Sequence, residues 1–366
     1  MKVLHLTWGM GTGGKERFLD QLVRGLDSSQ FDQQICCLRA RGAFYAPLVE
    51  DGFALCYLGK RHALDAFAAI RLRGVIRASD PDIIHAHDFT SHLLATMATC
   101  CRGTRPRVVA TLHGGHTRLS PFKAWLYRKM LGKASRVVCV AKSQIPELER
   151  QIGTRGTIVN IPYGVDPARF DDAPSPSDIR TRLGIPADAP VVAMVARFEQ
   201  PKDQDSLVRA APQILSNISQ CHFVLVGDGS RRSLIHEAVV AGGIEAAFHF
   251  VTATTEVRDI LSMASVCVLP SFHEGLPICI LEYMAAGRPV VASDVDGVGE
   301  MFRDGEEGFL IGAGDSAALA DRVSALLAEP AKAVEMGQRA RMRVESRFSL
   351  RGMLAAYTRL YCSLVR

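Results

Sequence analysis

Long apolar runs are absent from this sequence of 366 residues. Apolar residues make up 48% of the chain and charged residues 22%, a balance that suits large buried cores. A membrane-spanning helix needs about 20 consecutive apolar residues, so we expect none here. The first eight residues carry one Lys and no small-residue cleavage site, so we expect no secretory signal peptide either. The sequence therefore predicts a globular, cytoplasmic protein.

Cysteine patterns typical of metal sites are absent as well. The ten cysteines include no C-x-x-C pair and no grouping with histidines at ligand spacing. Most of them stand in apolar stretches, as expected for small buried side chains in a reducing compartment. We therefore expect no metal. No cofactor is expected in the favoured interpretation of the sequence either.

Charge is unevenly divided along the chain. Residues 1–170 carry 24 Lys and Arg against 13 Asp and Glu, whereas residues 171–366 carry 19 against 25. A basic half predicts an anionic partner, and the charge alone leaves both nucleic acid and an anionic membrane open.

The order of apolar segments predicts an α/β fold. Short β-compatible segments alternate with helix-length segments, which is typical of parallel, doubly wound sheets. In the first half, after a strand near the amino terminus, the predicted strands are residues 34–38, 54–58, 82–86, 107–112 and 136–140. In the second half they are residues 191–195, 222–226, 248–251, 266–269 and 289–293.

The length of the chain predicts two domains rather than one. Residues 170–190 hold four prolines and interrupt the alternation, which indicates a linker with one short helix. We expect Rossmann-like domains at residues 1–168 and 169–349. A carboxyl-terminal helix at about residues 350–366 is expected to pack back on the first domain.

A glycine pattern follows the first strand. Gly9, Gly11 and Gly14 satisfy G-x-G-x-x-G, the pattern that binds a dinucleotide pyrophosphate when an acidic residue ends the second strand. Here that strand is followed by Arg39 and Arg41 instead. The acid is missing, but an arginine suits a 2′-phosphate, so an NADP-dependent oxidoreductase remains an alternative.

The second half concentrates charged residues after its predicted strands. Arg197 and Lys202 follow the first strand, where fixed cations suit a diphosphate leaving group. Glu274 precedes a short helix that Pro277 begins, and Glu282 lies inside that helix. Gly227 lies in another glycine loop on the same predicted edge. Asp294 and Asp296 form a D-x-D that we do not assign to a metal, because the match is short.

Histidines end two strands of the first half. His113 follows an apolar strand and precedes two glycines, which makes it the best ligand-binding candidate among them. We interpret His85 and His87 as structural residues, because no carboxylate or cysteine joins them at ligand spacing.

A basic helix is predicted at residues 121–133. Phe122, Trp125, Leu126 and Met130 form an apolar stripe on this helix. The stripe lies beside the cations Lys123, Arg128, Lys129 and Lys133. This composition is typical of a helix at a membrane surface, although core packing with a solvated basic face explains the same pattern.

Taken together, these motifs resemble the retaining, nucleotide-sugar-dependent glycosyltransferases of family 4. Their GT-B fold has two Rossmann-like domains that face each other across a cleft. The resemblance covers nearly the whole chain. Three segments of the first half carry it: Gly13-Gly14-Lys-Glu, Thr111-Leu-His113 and Ile161-Pro-Tyr-Gly-Val-Asp166. In the second half it rests on Arg197 with Lys202, on Glu274 and Glu282 with seven residues between them, and on Gly287-x-Pro-Val-Val.

The resemblance implies a role for each matching residue. Arg197 and Lys202 would hold the donor diphosphate, and Glu282 the ribose. Glu274 and His113 would contact the transferred sugar. The remaining donor-binding positions would be Gly13, Gly14, Gly227, Gly275, Leu276, Pro277 and Ile278, the last four through amides near the helix start.

The resemblance also implies an activity. The protein would transfer a sugar to a glycan or lipid-linked acceptor of the cell surface. The donor would be a UDP-sugar rather than a GDP-sugar. The transfer would keep the anomeric configuration and need no metal. The basic helix, with further arginines at positions 71, 73, 77, 102, 105 and 107, favours a membrane surface over nucleic acid as the anionic partner. A non-catalytic sugar-nucleotide-binding subunit is a second alternative. Two residues depart from the family pattern, Tyr163 where Asn is frequent and Asp203 where Gly is common.

Overall fold

The computed structural model describes residues 1–60, 65, 67–99, 106–114, 121–152, 157–171, 175–254 and 257–365. Contacts divide the chain into two compact units. The first comprises Met1–Tyr163 and Arg351–Arg366, and the second comprises Gly164–Leu350. Among the described helices, none combines the length and the apolar character that crossing a bilayer requires.

The first unit is built on a parallel sheet of seven described strands. The strands are β1 (Lys2–Thr7), β2 (Asp32–Cys37), β3 (Ala54–Tyr57), β4 (Ile83–Ala86), β5 (Arg107–Leu112), β6 (Arg136–Cys139) and β7 (Ile158–Asn160). Their order across the sheet is β3-β2-β1-β4-β5-β6-β7. Because β1 pairs with both β2 and β4, the order reverses beside it, and ligand crevices of open α/β sheets lie at such a switch point.

Helices connect these strands. They are α1 (Gly14–Gly25), α2 (Tyr45–Glu50), α3 (Phe67–Ser79), α4 (Phe89–Thr99), α5 (Pro121–Leu131) and α6 (Ile145–Ile152), with α14 (Leu350–Val365) from the end of the chain. Apolar side chains of β1, β4, α3 and α4 form one buried cluster, which includes Leu4, Leu72 and Ile84. Burial on both faces explains why the central strands read as continuous apolar runs.

The second unit repeats the same strand order. Its strands are β8 (Val191–Val195), β9 (His222–Val226), β10 (Phe248–Val251), β11 (Val266–Leu269), β12 (Val290–Ser293) and β13 (Gly308–Ile311). They lie in the order β10-β9-β8-β11-β12-β13, with the switch beside β8. The helices are α7 (Pro176–Leu183), α8 (Gln204–Asn217), α9 (Arg232–Ala241), α10 (Arg258–Met263), α11 (Ile278–Ala285), α12 (Ser316–Ala328) and α13 (Pro330–Arg347).

The chain passes from one unit to the other earlier than the proline-rich segment suggests. The division by contacts falls after Tyr163, not at residue 168 or within residues 170–190. Val165 pairs with Ser349 in a short parallel bridge, and the Val165 N–H donates to the Phe348 carbonyl at 2.9 Å. The segment after Gly164 is therefore hydrogen-bonded within the second unit. Helix α7, inside the predicted linker, packs on α10 of the same unit.

Candidate active site

The predicted site residues of the second unit follow the carboxyl ends of neighbouring strands. Arg197 and Lys202 come after β8, Gly227 after β9, and Glu274 after β11. Strands β9, β8 and β11 are adjacent and parallel, so these loops leave the sheet at one edge. This edge includes the switch point beside β8, where such folds bind their ligands.

Lys202 and Glu274 form an ion pair. The Lys202 Nζ lies 2.6 Å from Glu274 Oε1, and the Ser271 hydroxyl donates to the same oxygen at 2.7 Å. Glu274 is 8% exposed, whereas the Lys202 side chain is 20% exposed. The carboxylate is thus held by two donors, and the lysine is the more exposed member of the ion pair. Sequence patterns did not indicate this contact of Ser271, because a lone serine carries no signal of its own.

Backbone contacts join the loops that carry this pair. The Phe272 N–H donates to the Pro201 carbonyl at 2.8 Å, and the Glu274 N–H donates to Asp296 Oδ2 at 2.9 Å. Asp296 is therefore used to hold the Glu274 loop, a role that its D-x-D pattern did not indicate. Each loop restricts the position of the next.

Asp203 departs from the family pattern without disturbing the loop. Its φ is +49°, a left-handed conformation that glycine adopts freely and that aspartate tolerates better than most residues. Its carboxylate accepts a hydrogen bond from the Ser206 N–H at 3.2 Å and caps helix α8. The cap helps offset the backbone strain, so the Lys202 turn keeps the shape that glycine would give it.

Gly227 lets two loops approach each other closely. Its φ is +152°, and a Cβ added there would lie 2.1 Å from the Ala196 carbonyl oxygen. The Phe198 N–H donates to the Asp228 carbonyl at 3.0 Å across the same contact. Any side chain at Gly227 would push away the loop that carries Arg197. The close packing of these two backbone segments therefore requires a glycine at position 227. This role differs from the direct donor contact that the resemblance implied.

Helix α11 begins at Ile278, one residue later than the sequence predicted, because Pro277 is the N-cap. Pro277 makes no side-chain hydrogen bond to the first helical amides. Those amides and the helix dipole favour an anion at this end. The side chains of Leu276 and Ile278 are buried, so any donor contact at these positions falls to the backbone.

Glu282 lies inside α11 and is 4% exposed. The next residue, Tyr283, ties this helix to the end of β8, because its hydroxyl accepts from the Val195 N–H at 2.6 Å. The helix that carries Glu282 is thereby fixed against the strand that leads to Arg197. Arg197 itself is exposed.

In the first unit, the glycine loop leads directly into α1. Gly13 is the N-cap of this helix, with no side-chain cap, and Gly14 is its first residue. Asp88 Oδ2 accepts from the Trp8 N–H at 2.7 Å and from Lys15 Nζ at 3.3 Å. Asp88 therefore holds the start and the end of the glycine loop. The sequence placed it after a strand but gave no sign of this function.

Arg39 and Arg41, which the NADP alternative required, lie over aromatic rings. The Arg39 guanidinium is 5.5 Å from the centre of the Trp8 ring. Arg41 is at the same distance from both Tyr45 and Tyr57. Cation–π contacts and packing account for both residues without a bound phosphate.

Both ring nitrogens of His113 have partners within the first unit. Nδ1 lies 2.6 Å from the Tyr163 hydroxyl, and Nε2 lies 3.3 Å from His87 Nδ1. The second departure from the family pattern, Tyr163, is thus a direct partner of the predicted sugar-binding histidine. The sequence indicated neither contact, because the two partners lie 50 and 26 residues away.

His85 and His87 lie in a buried cluster that His5 completes. Nitrogens of the three rings lie within 4.8 Å of one another, a spacing compatible with metal ligation. Every one of these nitrogens already has a hydrogen-bond partner within the first unit. His85, for example, contacts the Tyr361 and Thr111 hydroxyls at 2.6 Å each. The geometry fits a structural network, and the expectation of no metal stays a prediction.

Comparison with known proteins assigns the family. The model described as Glycosyltransferase Family 4 matches residues 12–169, and the model described as Glycosyl transferases group 1 matches residues 189–329. EpsD of Bacillus subtilis (strain 168), whose name places it provisionally among the glycosyltransferases, is 30% identical over 316 residues, 82% of each chain. The chain belongs to glycosyltransferase family 4. These matches confirm the resemblance that the sequence motifs of this glycosyltransferase indicated.

Other similar proteins span the full length of this glycosyltransferase. The lipopolysaccharide core biosynthesis glycosyltransferase LpsE of Rhizobium meliloti (strain 1021) is 27% identical over 99% of both chains. The crystal structure of Anabaena Alr3699/HepE in complex with UDP and glucose has a TM-score of 0.89 at 21% identity, covering 99% of this chain and 100% of that chain. The predicted GT-B fold class, with two Rossmann-like domains, is confirmed.

Proposed function

We propose that this glycosyltransferase transfers a sugar from a UDP-sugar, with retention and without a metal, to a glycan or lipid-linked acceptor in cell-surface polysaccharide or glycolipid biosynthesis. The observation that carries the proposal is the arrangement at the carboxyl edge of the second sheet. There the Lys202–Glu274 ion pair lies in the loops before the uncapped helix α11 that holds Glu282. The complex of HepE with UDP and glucose, and the pathway named for LpsE, support the donor and acceptor classes.

The donor would be bound from its diphosphate outward. Lys202 and Arg197 would neutralise the phosphates, and the amides of Ile278 and Cys279 at the start of α11 would add hydrogen bonds to anionic oxygens. Glu282 would accept from the ribose hydroxyls, and Glu274 would orient the sugar. Lys202 Nζ pairs with Glu274 Oε1, so a bound diphosphate would be a second anionic partner for this lysine.

The chemistry follows from charge at the leaving group. As the bond between the sugar C1 and the phosphate oxygen breaks, negative charge grows on the diphosphate, and fixed cations stabilise it. The acceptor hydroxyl oxygen attacks C1 from the same face, and its proton passes to the departing phosphate oxygen. Glu274 then aligns the sugar and needs no covalent role. The amino-terminal positions Gly13, Gly14 and His113 are assigned to donor or acceptor contacts.

The activity is tested by UDP release from a panel of UDP-sugars with oligosaccharide and lipid-linked acceptors. Proton NMR of the product reads the anomeric configuration of the new glycosidic bond. We expect UDP release that depends on the acceptor, with the donor configuration kept. An inverted product would contradict the mechanism. If no UDP-sugar released UDP with any of the acceptors, the donor class would be wrong.

Glu282→Ala should weaken UDP binding by about 10- to 100-fold, because a hydrogen bond to a charged group contributes roughly 1.5–3 kcal/mol. Isothermal calorimetry with UDP measures the effect. Glu282→Gln keeps the side-chain volume and one acceptor, so its loss should be smaller. Glu237→Ala, an exposed change on α9, is the matched control. Equal affinity of the Glu282→Ala and Glu237→Ala variants would contradict the ribose assignment.

A membrane surface is the proposed site of action. On α5, Phe122 is 70% exposed and Trp125 is 49% exposed, and their rings lie 6.1 Å apart. Arg128 and Lys129 on the same helix are exposed too, whereas the Lys123 side chain lies outside the described residues. Two members of the predicted apolar stripe face the core instead, since Met130 is buried and Leu126 packs against the same cluster. The two aromatic rings beside cations still suit an anionic interface.

Vesicles rich in anionic lipid should retain the protein at low salt, and vesicles of neutral lipid should not. Each cation near the surface contributes about 1 kcal/mol, and salt screens it. The double variant Phe122→Ser/Trp125→Ser should bind less tightly in a sedimentation assay. Val334→Ser/Met342→Ser, which removes two exposed apolar side chains from α13, is the control. No binding to anionic vesicles at low salt would exclude the membrane proposal.

A further inference from the structure

A chain of hydrogen bonds crosses the first sheet and ends at His113. It begins at Gln33 on β2 and continues through His5 on β1, His87 after β4, and His113 after β5 to Tyr163 after β7. The successive contacts measure 3.3, 3.1, 3.3 and 2.6 Å. The order of the residues follows the order of the strands. Parallel register therefore brings together side chains that are far apart in the sequence.

The amide of Gln33 fixes the direction of donation along this chain of hydrogen bonds. Its Nε2 donates to the Val23 carbonyl at 2.9 Å, which leaves Oε1 facing His5 Nε2. Rotating the amide would place two oxygens against each other at Val23. Since Oε1 only accepts hydrogen bonds, the proton of His5 must lie on Nε2.

The direction passes from ring to ring. A neutral imidazole has one donor and one acceptor nitrogen, so His5 Nδ1 accepts from His87 Nε2. His87 Nδ1 then accepts from His113 Nε2, and His113 Nδ1 accepts from the Tyr163 hydroxyl. All three imidazoles thus carry their proton on Nε2. One amide at the buried end selects the tautomer at the other end.

The rings at the buried end stay neutral at ordinary pH, so each of them keeps one acceptor nitrogen. His5 and His87 are 0% and 1% exposed. Burial lowers the pKa of His5 to about 4. Burial and the neighbouring imidazoles His85, His5 and His113 lower the pKa of His87 well below its usual value. A second proton on either ring would also remove an acceptor and break the chain.

We propose that Gln33, His5 and His87 are positioning residues for sugar transfer, because they hold His113 as the Nε2–H tautomer with Nδ1 directed at Tyr163. The proposal rests on the proposed function, in which His113 contacts the transferred sugar. This hydrogen-bond relay from Gln33 to Tyr163 fixes the ring orientation of His113 and makes its Nδ1 an acceptor, at which a sugar hydroxyl would exchange with the Tyr163 hydroxyl. Without the relay, both tautomers and a rotated ring become available, and the side chain loses a defined position.

Nitrogen NMR of the histidine-labelled protein reads the tautomers directly. We expect His113 to show a protonated Nε2 and an unprotonated Nδ1, with assignment by single histidine variants. Gln33→Leu removes the acceptor that faces His5 Nε2, so the His113 signals should shift toward a mixture of tautomers. Gln34→Leu changes the same residue type on the opposite face of β2 and should leave them unchanged.

Kinetics separate positioning from folding. Gln33→Leu should lower kcat by on the order of 10-fold while UDP affinity changes little, because misplaced contact groups act on the reacting complex. It also removes the Gln33 partner of the Val23 carbonyl and of His5 Nε2, so Tm should fall modestly. Gln34→Leu should match the wild type in both measurements.

Each result has a defined meaning. A protonated His113 Nδ1 in the wild type, or unchanged His113 signals in Gln33→Leu, would overturn the relay. Altered tautomers with unchanged kcat would overturn the positioning role. Stoichiometric zinc bound at His5, His85 and His87, seen as shifted nitrogen signals on adding zinc alone, would replace the relay by a metal site. Wild-type turnover in His113→Ala would refute the role of His113 in the proposed function, whatever the tautomers are.

Discussion

Arg197→Ala and Lys202→Ala should each lower the rate of sugar transfer by on the order of 100-fold or more. The diphosphate gains charge in the transition state, and losing one preorganised donor to such a charge typically has this effect. Arg197 is exposed, so its removal should leave Tm nearly unchanged. Lys202→Ala breaks the pair with Glu274, but Ser271 still donates to that carboxylate, so the loss of stability should be modest.

Initial rates and Tm of the same preparations provide the measurement. Arg182→Ala, an exposed arginine on α7, is the matched control and should behave as the wild type. Lys202→Arg keeps a cation and should retain more activity than Lys202→Ala. If Arg197→Ala and Lys202→Ala turned over at the wild-type rate, the assignment of the diphosphate site would be wrong.

Acidification should destabilise the protein well before its carboxylates titrate. Burial lowers the pKa of His5 and of His92 to about 4, and burial also leads the causes that lower the pKa of His85 and His87. An unfolded histidine binds a proton near pH 6.5. Between about pH 6.5 and about pH 4, the unfolded chain therefore binds more protons, and the free energy of unfolding falls as pH falls.

His92 isolates the effect of a single group. Its ring nitrogens have no hydrogen-bond partner among the described residues, so His92→Leu should preserve stability at about pH 7.5. The same variant should flatten the pH dependence by up to about 1.4 kcal/mol per pH unit in denaturant unfolding. His236→Gln, an exposed change on α9, is the control. An identical slope in His92→Leu and the wild type would mean that His92 is not buried in its neutral form.

Periodicity predicted most strands of both sheets. Strands β5, β8, β9, β10 and β11 have the predicted bounds, and β10 is an edge strand. The missed strands β7 and β13 are edge strands of three and four residues. The helix after Glu274 was placed within one residue, because Pro277 and the glycine before it are strong local signals.

The partners of the site residues could not be predicted in the same way. Ser271, Asp296 and Asp88 act through hydrogen bonds to loops, and single polar residues of these types occur on any surface. The relay from Gln33 to Tyr163 depends on which strands are neighbours and on their register, and neither is encoded by local spacing. Sequence patterns therefore found the residues assigned to the ligand but missed those that hold them.

The central claim is that the second unit binds a nucleotide diphosphate through Lys202 and Glu282. A thermal-shift panel of UDP, GDP, ADP and NADPH tests it most directly, since a ligand at 100 times its Kd stabilises the native state by about 2.7 kcal/mol. UDP should raise the Tm of the wild type more than the other three ligands, and should raise that of Glu282→Ala much less. A shift with NADPH and none with UDP would contradict the claim.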